Sequence, residues 1–199
     1  RCRFFLGLSG KGVLTSKMVG KMASSPIIFA LANPEPEILP KEVLAVAPDA
    51  IIATGRSDFP NQVNNVLCFP FIFRGALDVG ASEINDEMKL ACVDGLAELA
   101  RVTSSTELAE AYRGEKMTFG TQYLIPKPFD TRLMGVVASA VAKAAMNSGV
   151  ATRPIKDFES YQEVLDNAVS KSALLMRPVF DAAGIQSRRV VVAEGEIER

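Results

Sequence analysis

Histidine is absent from this chain. That removes the side chain most often used for proton transfer near neutral pH, so neither His-based acid/base catalysis nor His–metal ligation is available to these residues. Charge imbalance is absent too. The formal net charge is −1, which supplies no basic footprint for nucleic acid or for an anionic membrane surface. The three cysteines, Cys2, Cys68 and Cys92, are scattered and form no C-x-x-C pair, so the pattern points to neither a structural zinc site nor a disulfide framework. A reduced, cytoplasmic setting is the expectation. No apolar run approaches the ~18 residues that would argue for a membrane span. The N-terminus, RCRFFLGLSGKG, lacks the layout of a signal peptide. No G-x-G-x-x-G is found, only the weak pair Gly10 and Gly12 after an apolar run.

What is present reads as an α/β chain. Phe4–Leu8 is a strand pattern ended by Ser9, Gly10 and Gly12. Thr15 is placed to cap a short helix through about Met22. Ile27–Leu31 forms a second strand after Pro26, Pro40 opens a short helix, KEVLAVA, and Ala50–Thr54 forms a third strand. Strands alternating with short helices predict a doubly wound, Rossmann-like parallel sheet. From Pro70 onward the pattern turns helical. Ile84, Met88, Ala91, Cys92 and Leu99 recur on one helical face. Thr103–Ser105 break that helix and Thr106–Tyr112 form another. After a loop with Pro126 and Pro128, Asp130 is expected to cap the helix RLMGVVASAVAKAAMNSG, which stops at Gly149. Its alanines, Ala138, Ala140, Ala142, Ala144 and Ala145, allow close approach of a neighbour. VATRPIKDF reads as the start of a helical linker over 150–187, with Tyr161, Leu165, Ala168, Val169, Ser172 and Met176 on one face. Pro178 interrupts it and Gly184 ends it. The three expected divisions are therefore 1–149, 150–187 and 188–199.

The polar loops after the strands carry the functional interest, because ligands of open α/β sheets bind where strands give way to loops. Asn33-Pro34 follows the second strand, and by residue type alone it is a turn start. SDFPNQVNNVLCFP follows the third and holds Asn61, Gln62, Asn64 and Asn65, uncharged amides suited to a small polar molecule. Asn64 and Asn65 equally fit helix N-capping, and the two roles are compatible because a helix N-terminus also favours an anion. Arg56, Ser57 and Asp58 read as a solvated turn with its own salt bridge. Arg74 on an apolar helix has Asp78 at i+4 as a partner. Cys68, with no His to activate it, reads as a small hydrophobe. Lys116, Lys127 and Lys143 read as surface residues, and Tyr112 and Tyr123 have no visible acid/base partner.

ANPEPEI, followed by ATGRSDFPNQVNNVLCFPFIFRGALDVGA, resembles the cofactor-binding domain of the bacterial malic enzymes, and FFLGLSGKGVLTSKMVGKMA resembles the strand and helix before those motifs. The resemblance runs over about residues 3–147. It implies oxidative decarboxylation of malate to pyruvate and CO2 with NADP or NAD, with NADP favoured by likeness to the long bacterial forms, and with Mg²⁺ or Mn²⁺. It implies that Asn33 binds cofactor or substrate near the nicotinamide and that Asn64 and Asn65 bind malate. The family's general-acid Tyr, general-base Lys, acidic metal ligands and Gly-rich pyrophosphate turn would all lie upstream of Arg1, so no catalytic or metal-ligating residue is assigned here. RVVVAEGEIER is similar to the opening of a phosphotransacetylase domain, which follows the dehydrogenase part in long bacterial forms. A sheet incomplete on its N-terminal side, no initiating Met and an inactive isolated chain are the corresponding expectations. So is a homo-oligomeric parent. Two other readings stand beside this one: another amino-acid or hydroxy-acid dehydrogenase, and a structural or oligomerisation module joining two enzymatic parts.

Overall fold

The computed structural model describes residues 1–102 and 117–169. Three strands, β1 (Phe4–Gly7), β2 (Ile27–Ala30) and β3 (Ile51–Thr54), form one parallel sheet in the order β1-β2-β3. The short crossovers hold α1 (Ser16–Val19) and α2 (Pro40–Leu44). Thr15 caps α1, its hydroxyl oxygen accepting from the Met18 N–H, and Pro40 opens α2. The fold is α/β and Rossmann-like.

Register and alternation decide which sheet face is buried. Phe5, Ile28 and Ile52 share one face, and Ile28, Ala30 and Ile52 pack there with Leu14, Val19, Val43 and Ala47 from the α1 and α2 crossovers. On the other face Phe4 and Leu6 are about half exposed, and Phe4 meets Phe29 edge-on with ring centroids 5.7 Å apart. In the described sheet β1 and β3 are the two edges and β2 lies between them, β1 being the more exposed edge.

A second core is wholly helical. It is built from α3 (Phe69–Asp78), α4 (Asp86–Arg101) and α5 (Arg132–Asn147), with Leu133, Val137, Val141 and Met88 fully buried. The alanine pattern of α5 has a packing cause. Ala138, Ala142 and Ala145 are fully buried, and Gly75 of α3 sits so close that a Cβ there would lie 2.5 Å from the Ala138 carbonyl oxygen. These alanines are thus spent inside the domain, not on an outside contact. The capping of α5 differs by one residue from the sequence reading. Thr131 occupies the cap position, while Asp130, one residue earlier, accepts from the Arg132 N–H at 3.0 Å and forms a two-oxygen ion pair with the Arg132 guanidinium.

The described part of VATRPIKDF lies against α3. Arg153 N–H donates to the Val79 carbonyl at 2.9 Å, its guanidinium donates to the Leu77 carbonyl at 2.7 Å, and the Thr152 hydroxyl donates to the Gly80 carbonyl at 2.7 Å. These donors pin the segment to carbonyls in and just beyond the last turn of α3. A helical stretch, α6 (158–169), then adds Tyr161 and Leu165 to the helical core. Residues expected as a helix at 106–112, the later linker to 187 and the segment 188–199 lie outside the described residues, as do Tyr112 and Lys116.

Candidate functional site

Parallel pairing brings the strands to a common end. Gly7, Ala30 and Thr54 are register partners, so the loops after β1, β2 and β3 leave the sheet side by side. This is the edge at which an open α/β sheet holds its ligands.

The first two loops are tied by one side chain. Glu37 is fully buried, and its carboxylate accepts from Ser9 N–H at 2.8 Å and the Ser9 hydroxyl at 3.2 Å on one oxygen, and from Ala32 N–H at 3.1 Å on the other. Burial opposes ionisation of this carboxyl, but the Ser9 and Ala32 hydrogen bonds outweigh it and hold its pKa below the ordinary glutamate value. Gly7 makes room for it, since a Cβ there would lie 2.5 Å from the Glu37 carboxyl carbon. Asn33 stands one residue beyond Ala32. It is exposed, its peptide bond to Pro34 is cis, and its side chain has no hydrogen-bond partner among the described residues. Above this tie Lys11 and Glu35 pair at 2.5 Å, and the Lys11 hydrogen bond and charge draw the Glu35 pKa down.

The third loop separates its amides by role. Asn61 is buried and has φ +55, with its NH2 donating to the Ile52 carbonyl at 2.9 Å and the Thr121 carbonyl at 2.8 Å, while its oxygen accepts from Leu124 N–H at 2.8 Å. Gln62 donates to the Gly55 carbonyl at 3.3 Å. These two amides build the loop. Val63 N–H donates to the Thr54 carbonyl at 2.8 Å, and the parallel bridge Thr54–Gln62 runs the chain on past the strand ends. Asn64 caps a 3-10 turn, Asn65–Leu67, its side-chain oxygen accepting from Val66 N–H at 3.0 Å. Its NH2 group makes no such bond among the described residues. Asn65 is exposed and its side chain has no hydrogen-bond partner among the described residues. The structure therefore brings Asn33, Asn64 and Asn65 to the strand-end side of the sheet, with the Asn33 and Asn65 amides free and the Asn64 oxygen engaged.

Arg56 is not free. Its guanidinium donates to both Asp58 oxygens at 2.8 and 2.7 Å and lies 5.2 Å from the Phe59 ring centroid, which is the self-contained turn read from the sequence. Arg74 pairs with Asp78 at 2.6 Å as the i+4 spacing predicts, and Lys143 stacks over Phe158 at 4.8 Å. A cleft of about 330 Å³ beside the β1 and β2 loops is lined by Lys11, Gly12, Thr15, Glu35, Glu37 and Glu42. Its charge is net acidic, which disfavours a phosphate there. Among the described residues no group of three or more His, Cys, Asp or Glu is placed to hold a metal ion. Cys68, where the 3-10 turn meets α3, accepts a hydrogen bond from the Cys92 thiol at 3.5 Å, and burial first, then Cys68, pushes the Cys92 pKa up to about 12.

The family described as "Malic enzyme, NAD binding domain" matches residues 1–112. The chain belongs to the malic enzyme family. It is 62% identical over 195 residues to the NADP-dependent malic enzyme of Salmonella typhimurium, covering 98% of this chain and 26% of that protein. It is 59% identical over 196 residues to the NAD-dependent malic enzyme of Rhizobium meliloti, again covering 98% of this chain and 26% of the relative. Among solved structures, the malic enzyme of Pyrococcus horikoshii superposes with a TM-score of 0.73 at 36% identity, over 89% of this chain and 37% of that one. The chain thus spans about a quarter of the length of these curated malic enzymes. Within the family's cofactor-binding domain, the residue that the sequence did not single out is Glu37, while Asn61, read from the sequence as one of four amides suited to a small polar molecule, is taken up by backbone groups instead. Both act on backbone groups, which no neighbouring residue type announces in the sequence.

Proposed function

We propose that this chain is a segment of a nicotinamide-dependent malic enzyme, which converts malate and NADP or NAD to pyruvate, CO2 and the reduced cofactor. The observation that carries the reading is the 62% identity to an NADP-dependent malic enzyme over nearly the whole chain. Relatives of nearly equal identity bear NADP and NAD in their names, and we favour NADP. When bound, the nicotinamide supplies the acceptor for the hydride of the malate C2–H, and Mg²⁺ or Mn²⁺ supplies positive charge beside the C2 oxygen during loss of CO2. What supports a nicotinamide side among the described residues is Asn33, exposed after β2 and with no hydrogen-bond partner among them for its amide. The described residues offer no ligand cluster for the metal, so no metal ligand is assigned among them.

The chain's own part is to bind and orient. Asn33 is assigned to the cofactor, and Asn64 and Asn65 to malate. An amide donates to a carboxylate oxygen and accepts from a hydroxyl, the two groups a 2-hydroxy acid presents. Asn65 has both functions free, whereas Asn64 has only its NH2 to give. No described side chain is assigned the acid or base role. We place the domain boundary near 149, with a helical linker to about 187 and a phosphotransacetylase-like part from 188, in a cytoplasmic homo-oligomer. No described helix is long and apolar enough to cross a membrane.

The test is turnover by the full-length enzyme. With a divalent cation, malate and either cofactor, reduced nicotinamide and pyruvate should appear in equal amounts. Oxidation of a different hydroxy or amino acid in preference to malate would replace this reading with that of another dehydrogenase.

A further inference from the structure

A fully buried carboxylate with no ion-pair partner among the described residues calls for a reason. Isolated buried charges are costly unless several donors replace the lost water. Glu37 meets that condition with groups from two different loops: one oxygen takes Ser9 at the end of β1, and the other takes Ala32 at the end of β2. Its own backbone carbonyl accepts from Gly12 N–H at 2.9 Å, fixing the β1 loop a second time. The sheet makes space for the carboxylate by carrying Gly7 where any Cβ would collide with it. All of this lies at the strand ends, and Ala32, held by the carboxylate, is the residue before Asn33.

We propose that Glu37 is a positioning residue for the malic enzyme reaction: by holding Ser9 on one oxygen and Ala32 on the other, it locks the β1 and β2 loops in one register and sets where the Asn33 amide stands. The inference rests on the role given to Asn33 above. The chemistry requires a carboxylate. Both of its oxygens accept, whereas a glutamine presents one acceptor and one donor, so its NH2 would face either the Ser9 or the Ala32 N–H and that tie would open. An apolar side chain would leave both N–H groups buried without acceptors.

The test is a double-mutant cycle on the full-length enzyme with Glu37→Gln and Asn33→Ala, alone and together, following kcat and KM for malate and thermal stability. The positioning role predicts that Glu37→Gln lowers kcat/KM for malate at least about tenfold in the wild-type background and less than about twofold when Asn33 is already Ala, because no amide then remains to be placed. If Glu37→Gln does not fold, the same cycle is run with Glu37→Asp, which keeps the charge but is one methylene too short to span both loops. An equal loss in both backgrounds, or unchanged kinetics in the wild-type background, overturns the inference and leaves Glu37 as a loop brace only. Wild-type enzyme that does not oxidise malate overturns the functional reading, and this inference with it.

Discussion

The Tyr161 hydroxyl donates to the Asp78 carboxylate at 2.8 Å across 83 residues of sequence. Asp78 also accepts from Arg74 at 2.6 Å, so one carboxylate at the end of α3 binds its own helix and the α6 stretch together. Phe158, edge-on to the Tyr161 ring at 6.0 Å between centroids, fills the space beside it. The phenol is buried, and burial, followed by the anionic Asp78, pushes its pKa up, so it stays a donor at any ordinary pH.

Tyr161→Phe keeps the ring and loses the hydrogen bond. The cost should be about 1.5–3 kcal/mol, since the acceptor is charged. Asp78→Ala removes the acceptor from both Tyr161 and Arg74 and should cost more. Chemical denaturation of the full-length enzyme checks the order. If Tyr161→Phe is neutral, α6 is held by its other contacts, among them the hydrogen bond from the Ser139 hydroxyl to Gln162 at 3.1 Å.

Asn61 offers a sharper case. With φ +55 and three hydrogen bonds to Ile52, Thr121 and Leu124, it ties the β3 loop to residues 121–124. Asn61→Ala should cost about 2 kcal/mol or more, since buried partners are left unpaired and Ala tolerates positive φ poorly. Asn61→Gly relieves only the backbone part, so it should recover about 1 kcal/mol and no more. Thermal unfolding of the two variants separates the contributions. A Gly variant as stable as wild type would show that the side chain holds nothing.

These two residues mark what the sequence could and could not tell. The strands and most of the helices were legible because their causes are local: alternation at Phe4–Gly7, a threonine cap at Thr15, Pro40 at a first turn, and the i+4 pair Arg74–Asp78. The amides of the β3 loop looked alike in sequence. Only the fold shows that Asn61 is consumed by groups about 60 residues away while Asn65 is free. Glu37 was hidden for a similar reason. Its partners are main-chain N–H groups, which every residue has, so no residue type announces them.

The cysteines should react in an order set by burial. Cys2 is exposed and should label first with a thiol reagent at neutral pH. Cys92, whose pKa burial and the neighbouring Cys68 push well above the ordinary thiol value, keeps little thiolate at pH 8 and should label only on unfolding. Mass spectrometry of native and denatured protein reads the sites directly. Fast native labelling of Cys92 would mean that α4 opens readily from the helical core.

The last prediction separates the paired asparagines of the proposed malate site. Asn64 spends its oxygen on Val66 N–H, so Asn64→Ala should lower stability by about 1 kcal/mol, the usual loss for a helix cap, along with malate affinity. Asn64→Asp keeps the cap but turns the remaining NH2 into an acceptor, so stability should hold while kcat/KM for malate falls by repulsion of its carboxylates. Asn65 makes no side-chain hydrogen bond among the described residues, so Asn65→Ala should leave stability within about 0.5 kcal/mol of wild type. It should still lower kcat/KM for malate about ten- to hundredfold, the effect of one lost hydrogen bond to a charged substrate, with little change in cofactor binding. Unfolding and steady-state kinetics on the same preparations of full-length enzyme give both readouts. If Asn65→Ala left malate kinetics unchanged while Asn64→Asp impaired them, the substrate contact would belong to Asn64 alone.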